Sequence, residues 1–412
     1  MPGHDSVQHR GSNRFGQALD NFEDMHVGSL QDITVLDFSH ALSGPFATLL
    51  MSELGARILK IESPGGDHFR PANGGATFAV VNRNKHGLCV DLKHPLSGDV
   101  IARLARAADV VVENFTPGTA DRLGIGYAQL SALNPSLVYC SISGFGSTGP
   151  YREFRGYDAV AQAMSGIMAS TGEPERPPVR VGPSMIDMGT GMYVVIAMLD
   201  ALRTRDATGL GAHLELNLLD SALSWMSQGI ARYSQTGQVP ARTGSALGTF
   251  SPYQVFAGRD GLMFIGVSTE AFWGKLCTAL DLDVIDDPRF CDMQARVSNR
   301  DALTALIESR LHVLSNDDVL RRLRDAGVPS APVLDVAGVV EDTHVQATGA
   351  LESVHDPVCG DILQTKMPIG AGVTPTPAPQ LGEHTRQVLL DSGFDSTEIA
   401  ALIDARVVIA DA

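Results

Sequence analysis

Short apolar runs alternate with helical ones along the first half of this chain, and no other feature restricts the fold as much. The runs ITVLDF (33–38), RILKIE (57–62), LCVDL (88–92), DVVVEN (109–114) and LVYCSIS (137–143) have the length and β-branched content of strands. Between them, GPFATLLMSELG and SGDVIARLARAA carry helical periodicity, the first ending at Gly55. Apolar strands separated by helices predict βαβ units and a parallel sheet covered on both faces. The expected class is α/β, with a ligand beyond the carboxyl ends of the strands.

The pattern continues with a long helix from Asp187 toward Thr204, then a strand and helix in HLELNLLDSALSWMSQGIARYS. Composition shifts near Gly237. PYQVFAGRDGLMFIGVS reads as a hairpin around a Gly-Arg-Asp-Gly turn. Helices near 270–281, 300–312 and 316–326 complete a smaller α+β domain. Two further strands, the Pro-rich stretch TPTPAPQ and helices near 383–393 and 396–404 follow, where the chain is expected to rejoin the first domain. The expected organisation is a polar tail at 1–28, a large domain from 29–225 and 345–412, and a small domain at 240–335.

A chain of 412 residues has room for two such domains. Its net charge of −16 argues against nucleic acid, which needs a basic face, and against anionic lipid. A phosphorylated small ligand needs only a few local cations and remains open. Cys89, Cys140, Cys277, Cys291 and Cys359 are scattered without a CxxC pair, so neither a disulfide framework nor a zinc site is indicated. A reduced, cytoplasmic protein is expected. The N-terminus lacks a signal-peptide pattern, and the longest apolar run, Met192 to Leu199, is too short to span a bilayer.

The segment around Asp187 carries the sharpest chemical suggestion. Asp187 stands alone between Ile186 and Met188, before Gly189, Gly191 and the run MYVVIAML. A lone carboxylate at the mouth of an apolar helix is costly to bury unless something solvates it. The glycines leave room for a ligand, and such a carboxylate can serve as a nucleophile. The competing reading is a helix N-cap. Elsewhere, GFGSTG (144–149) matches GxGxxG but leads into Pro150 instead of an apolar helix, so it reads as a turn. In VENFTPG a strand ends in Asn114 and Phe115, with Arg122 farther on to meet a phosphate; a strand-end turn with a core Phe fits equally. VNRNKHG (81–87) reads as a solvated basic turn, and His40 as a satisfied strand-end histidine.

Taken in order, ITVLDFSHALSGPFA, LGARILKIESPGGD, NRNKHGLCVDLKHPLSG, VENFTPGTADRLG, SISGFGSTGPY and LGEHTRQVLLDSGF resemble the family III CoA-transferases. That group includes formyl-CoA transferase and the carnitine CoA-transferase. The resemblance implies a Rossmann-like large domain, a small domain and two interlocked subunits. It places the catalytic aspartate at Asp187, with Tyr157 and Asp158 lining the site. Ala41, Leu42 and Ser43 match the pantetheine-side loop; Val90 to Lys93, Asn114, Phe115, Arg122 and Arg155 match CoA contacts. Coenzyme A and acyl-CoA would be substrates, with no permanent cofactor and no metal. Leu42 departs from a glutamine of the formyl-CoA enzyme, Ser63 from a basic contact, and SALGTFSP with Gly248 from its tetraglycine loop. Formate and oxalate are therefore in doubt as substrates; the expected reaction moves CoA from an acyl-CoA, succinyl-CoA being one candidate, to a small organic acid, with dicarboxylates such as succinate, itaconate or mesaconate among the candidates.

An α-methylacyl-CoA racemase shares the resemblance. Racemases of this kind use a GHD motif, where this chain has Gly156-Tyr157-Asp158, and Tyr is a poor base near neutral pH. A CoA-binding protein without turnover is the third reading.

Overall fold

The computed structural model describes residues 28–370 and 372–410. Apart from Gly28, the expected N-terminal tail lies outside them.

Six parallel strands form the main sheet: β1 (Thr34–Asp37), β2 (Arg57–Glu62), β3 (Lys85–Val90), β4 (Val110–Glu113), β5 (Val138–Ser143) and β6 (Ala212–Asn217). A separate antiparallel sheet holds β7 (Tyr253–Ala257), β8 (Leu262–Gly266) and β9 (Ser330–Pro332). The expected Gly-Arg-Asp-Gly turn joins β7 to β8, Gly258 N–H bonding Gly261 O at 2.8 Å. Strands β10 (Leu351–Asp356) and β11 (Gly360–Thr365) form a hairpin. The chain end then returns as β12 (Val408–Ile409), antiparallel to β3. The large sheet thus runs β12-β3-β2-β1-β4-β5-β6. Its parallel part has the Rossmann order, whose switch point lies between β1 and β4.

Alternate strand residues feed two cores, as a sheet covered on both faces requires. Val35, Val110, Val112 and Val138 pack under α1 (Ser43–Glu53), while Leu36, Val111 and Tyr139 pack under α2 (Ser97–Ala107). A third cluster, including Phe256, Ile265, Trp273, Ile307 and Leu323, belongs to the 250–330 region alone.

Three helices shape the site: α3 (Asp158–Ser165), α4 (Met185–Thr208) and α5 (Leu218–Trp225). At 24 residues α4 is longer than expected, and it packs on α1. Gly191 makes this approach possible, since a Cβ there would lie 2.9 Å from Ser43 O. With an 18-residue window of mean hydropathy 1.5, α4 is long and apolar enough to cross a membrane by length and composition, which the shorter run 192–199 does not convey. Half of that window is buried in the protein.

Strand β3 begins at Lys85, three residues before the expected run, because Lys85, His86 and Gly87 already pair with β2, and the cations at its start are buried. Arg83 bonds Glu53 at 2.8 Å and Lys85 bonds Asp37 at 3.0 Å. The basic segment 81–87 is therefore no solvated turn: Arg83 and Lys85 are both buried.

Candidate active site

The loops after β1 and β4 are clasped across the switch point. Asn114 Oδ1 accepts the His40 N–H at 2.8 Å, and its Nδ2 donates to His40 O at 2.7 Å. The next residue, Ala41, is left-handed at φ +62°, a conformation that costs an L-residue about 1 kcal/mol. A buried polar network fixes the bend. Asp37 accepts from Ser39 N–H, Thr48 and Lys85, and Lys60 donates to Ser39 O. Asp67 accepts the Phe69 N–H at 2.9 Å and a long bond from Ala41 N–H at 3.3 Å. Burial opposes the charge on Asp67, but His40, Lys60 and the Phe69 N–H hold its carboxyl well below the usual range.

Asp187 lies in the first turn of α4, and it is not the N-cap; Ser184 holds that position and bonds no amide through its side chain. The capping oxygen comes from another helix. Asp158 Oδ2 accepts the N–H groups of Ile186 at 2.7 Å and Asp187 at 3.2 Å. Its Oδ1 accepts from Gln162 Nε2 at 2.5 Å. The Met185 and Met188 amides bond Pro183 O and Ser184 O. The N–H groups of Met185, Ile186 and Asp187, the first three residues of α4, are thus engaged and do not form an oxyanion hole. Gly189 and Gly191 leave no ligand space either: a Cβ on Gly189 would meet the Trp225 ring at 2.2 Å. They are glycines because α5 and α1 press against α4.

The Asp187 carboxylate itself accepts no hydrogen bond among the described residues. Burial, then the nearby charge of Asp158, pushes its pKa up to about 7. It faces a cavity of about 360 Å³ at the sheet's carboxyl edge, large enough for part of a substrate.

Of the residues expected at the site, Ala41, Leu42, Ser43, Asn114, Phe115, Arg155, Tyr157 and Asp187 line this cavity. Asp158 does not; it is buried and tied by its cap. Val90 is wholly buried in the core beside β12, with no side-chain surface for a ligand. Lys93 and Arg122 are exposed outside the cavity, Arg122 bonding Thr119 at 2.7 Å. Gly248 lies on an exposed loop that does not reach the cavity in the single chain.

Sequence reading missed His40 and His68, which both line the cavity. His40 is not a satisfied histidine, because its buried Nδ1 has no hydrogen-bond partner among the described residues. Two glycines also have a role that local patterns hide. A Cβ on Gly144 would lie 2.4 Å from Gly156 Cα, so GFGSTG and RGYD share one backbone contact. That contact, and not nucleotide binding, accounts for the first glycine of the GxGxxG match.

Comparison with known proteins agrees with this geometry. A family model described as CoA-transferase family III matches residues 30–385. The acetyl-CoA:oxalate CoA-transferase of Acetobacter aceti is 39% identical over 318 residues, covering 75% of this chain and 82% of that protein. The succinyl-CoA:glutarate CoA-transferase of Homo sapiens is 34% identical over 399 residues, covering 93% of this chain and 90% of that one. A CAIB/BAIF family protein from Brucella suis, known as a crystal structure, superposes with a TM-score of 0.80 at 36% identity. That match covers 87% of this chain and 98% of the other. With the Rossmann-ordered sheet and the carboxylate at its edge, these matches establish that the chain belongs to the family III CoA-transferases, enzymes that move coenzyme A between acyl-CoA thioesters and organic acids.

Proposed function

We propose that this protein transfers CoA from a small acyl-CoA, with succinyl-CoA the first candidate, to a small dicarboxylic acid, and that Asp187 carries the acyl group in transit. The observation that carries this reading is Asp187: half-buried, with a carboxylate that accepts no hydrogen bond among the described residues, and open to the cavity. A carboxylate stripped of solvent and donors is a stronger nucleophile than a solvated one.

The steps balance without an outside reagent. An Asp187 oxygen attacks the thioester carbonyl, the C–S bond breaks, and the thiolate leaves with the electron pair. The thiolate attacks the Asp187 carbonyl of the resulting anhydride and frees the donor acid, leaving an aspartyl-CoA thioester. The acceptor carboxylate attacks the carbonyl of that thioester, the C–S bond breaks to release the CoA thiolate, and a second anhydride forms. The thiolate then attacks its acyl carbon, giving the new acyl-CoA and restoring Asp187. Each stage exchanges one activated acyl bond for another, so no barrier carries the whole transfer.

A dicarboxylate acceptor is supported by two relatives whose names specify oxalate and glutarate. An interlocked dimer is supported by apolar surface left uncovered in the single chain. Met192, Ile196 and Leu199 on α4, Trp225 on α5, and Ile230 and Tyr233 on the next helix, α6 (Ser227–Thr236), are all exposed. Met192, Ile196 and Leu199 share one face of α4 by their spacing, and an exposed apolar stripe of this kind supports an interface.

The racemase alternative needs a second acid/base group at the motif Gly156-Tyr157-Asp158, and both Asp158 oxygens are engaged, Oδ2 by the α4 backbone and Oδ1 by Gln162 Nε2. A panel of carboxylates with succinyl-CoA tests the proposal. Formation of a new acyl-CoA supports it. Exchange of the α-proton of a 2-methylacyl-CoA in D₂O, with no acyl exchange, supports the racemase instead.

A further inference from the structure

Two histidines flank one buried carboxylate at the edge of the cavity. His40 Nδ1 stands 3.7 Å from Asp67 Oδ2, and His68 Nδ1 stands 3.7 Å from Asp67 Oδ1. The rings lie 6.4 Å apart between centroids, inclined at 42°. Both line the cavity that Asp187 faces. Asp67 is wholly buried and held ionised by Lys60 and backbone donors. His40 is held in place as well, its backbone clasped by Asn114 and its ring edge-on to Phe115 at 5.4 Å.

The ring geometry fixes what each imidazole presents. Nδ1 of His40 is shut off from solvent, while 26% of the side chain stays exposed. Its Nε2 bonds no described residue and is therefore the polar atom left to the cavity. A ring held in this way presents Nε2 outward, and an Nε2–H donates to a ligand oxygen. Two rings at this separation can each donate to one oxygen of a single carboxylate.

We propose that His40 and His68 form a two-imidazole clamp for the non-reacting carboxylate of the acceptor, and that this clamp selects dicarboxylic over monocarboxylic acids. The proposal rests on the CoA-transfer reading above. In that chemistry one acceptor carboxylate attacks at Asp187, and the other must stay in the cavity unreacted. Leaving it without a donor would cost heavily in a partly desolvated site.

The test uses the full chain with succinyl-CoA as donor and compares glutarate with butyrate, which has one carboxylate. The clamp predicts a kcat/KM for glutarate well above that for butyrate. In His40→Gln and His68→Gln the glutarate KM should rise on the order of ten-fold. The glutarate loss should exceed any loss with butyrate several-fold, so the preference collapses. His68→Lys, which keeps an N–H donor at an exposed position, should retain most of it. Equal losses for both acceptors, or none for either, would overturn the clamp and leave the transfer reading standing. So would an unsubstituted protein that uses butyrate as well as glutarate. Absence of transfer to every carboxylate by the unsubstituted protein would remove the transfer reading and the clamp together.

Discussion

Asp158 caps the helix on which Asp187 stands, its Oδ2 accepting the Asp187 N–H at 3.2 Å and that of Ile186 at 2.7 Å. One carboxylate thereby fixes where the other points. The same proximity sets two negative charges against each other and helps raise the pKa of Asp187 to about 7, burial being the larger cause. The pair divides the work: Asp158 accepts three hydrogen bonds and holds the backbone, while the Asp187 carboxylate accepts none among the described residues and faces the cavity.

The nucleophile must be ionised, so kcat/KM should rise with pH through about 7 and level off above it. Asp158→Asn removes the neighbouring charge and should move this midpoint downward. It also weakens the cap and should cost about 1–2 kcal/mol of stability. A pH–rate profile of the two proteins, with denaturant melts alongside, checks both effects.

Asp187→Asn should stabilise the fold at high pH. The folded-state pKa is raised above its ordinary 3.8, so folding penalises the ionised form. That penalty is absent below about pH 4 and grows as pH rises toward 7. The variant should gain about 1–2 kcal/mol at pH 8, the helix N-terminus offsetting part of the full linkage value, and nothing near pH 4. Denaturant midpoints at the two pH values measure the difference.

Lys85 and Asp37 form a fully buried pair that supports the loop before Ala41. Burial pulls the Lys85 pKa down to about 8, with Asp37 acting against the fall. Lys85→Met leaves a buried carboxylate without its counter-ion and should destabilise by about 3–5 kcal/mol. Adding Asp37→Asn should recover part of that loss in a double-mutant cycle.

Gly189→Ala should destabilise by about 1–2 kcal/mol although alanine is the better helix former, because the new methyl meets the Trp225 ring at 2.2 Å. The displaced α4 should also lower kcat. Trp225→Phe, which shortens the ring, should relieve both effects in the double variant, and its failure to do so would show that the contact is not the cause.

The fold was legible in the sequence where hydrophobic pattern decides structure. Strand RILKIE coincides with β2, and the hairpin turn Gly258–Gly261 falls where its residues demand. Strand β3 was misplaced because pairing with Asp37 and Glu53 buries cations that periodicity assigns to a turn. At the site, Asp187 was identifiable as a lone acid before an apolar helix. The cap from Asp158, the Gly144–Gly156 contact and the His40–Asp67–His68 arrangement were not. Each joins residues from different elements or depends on ring orientation, and local spacing carries no record of either.

The central claim is that Asp187 becomes covalently acylated. The direct measurement incubates the protein with succinyl-CoA, quenches with hydroxylamine, and maps the modified residue by mass spectrometry. The account predicts a hydroxamate at Asp187 and at no other carboxylate, together with complete loss of both trapping and transfer in Asp187→Asn. A hydroxamate elsewhere, or CoA transfer by Asp187→Asn at the unsubstituted rate, would contradict it.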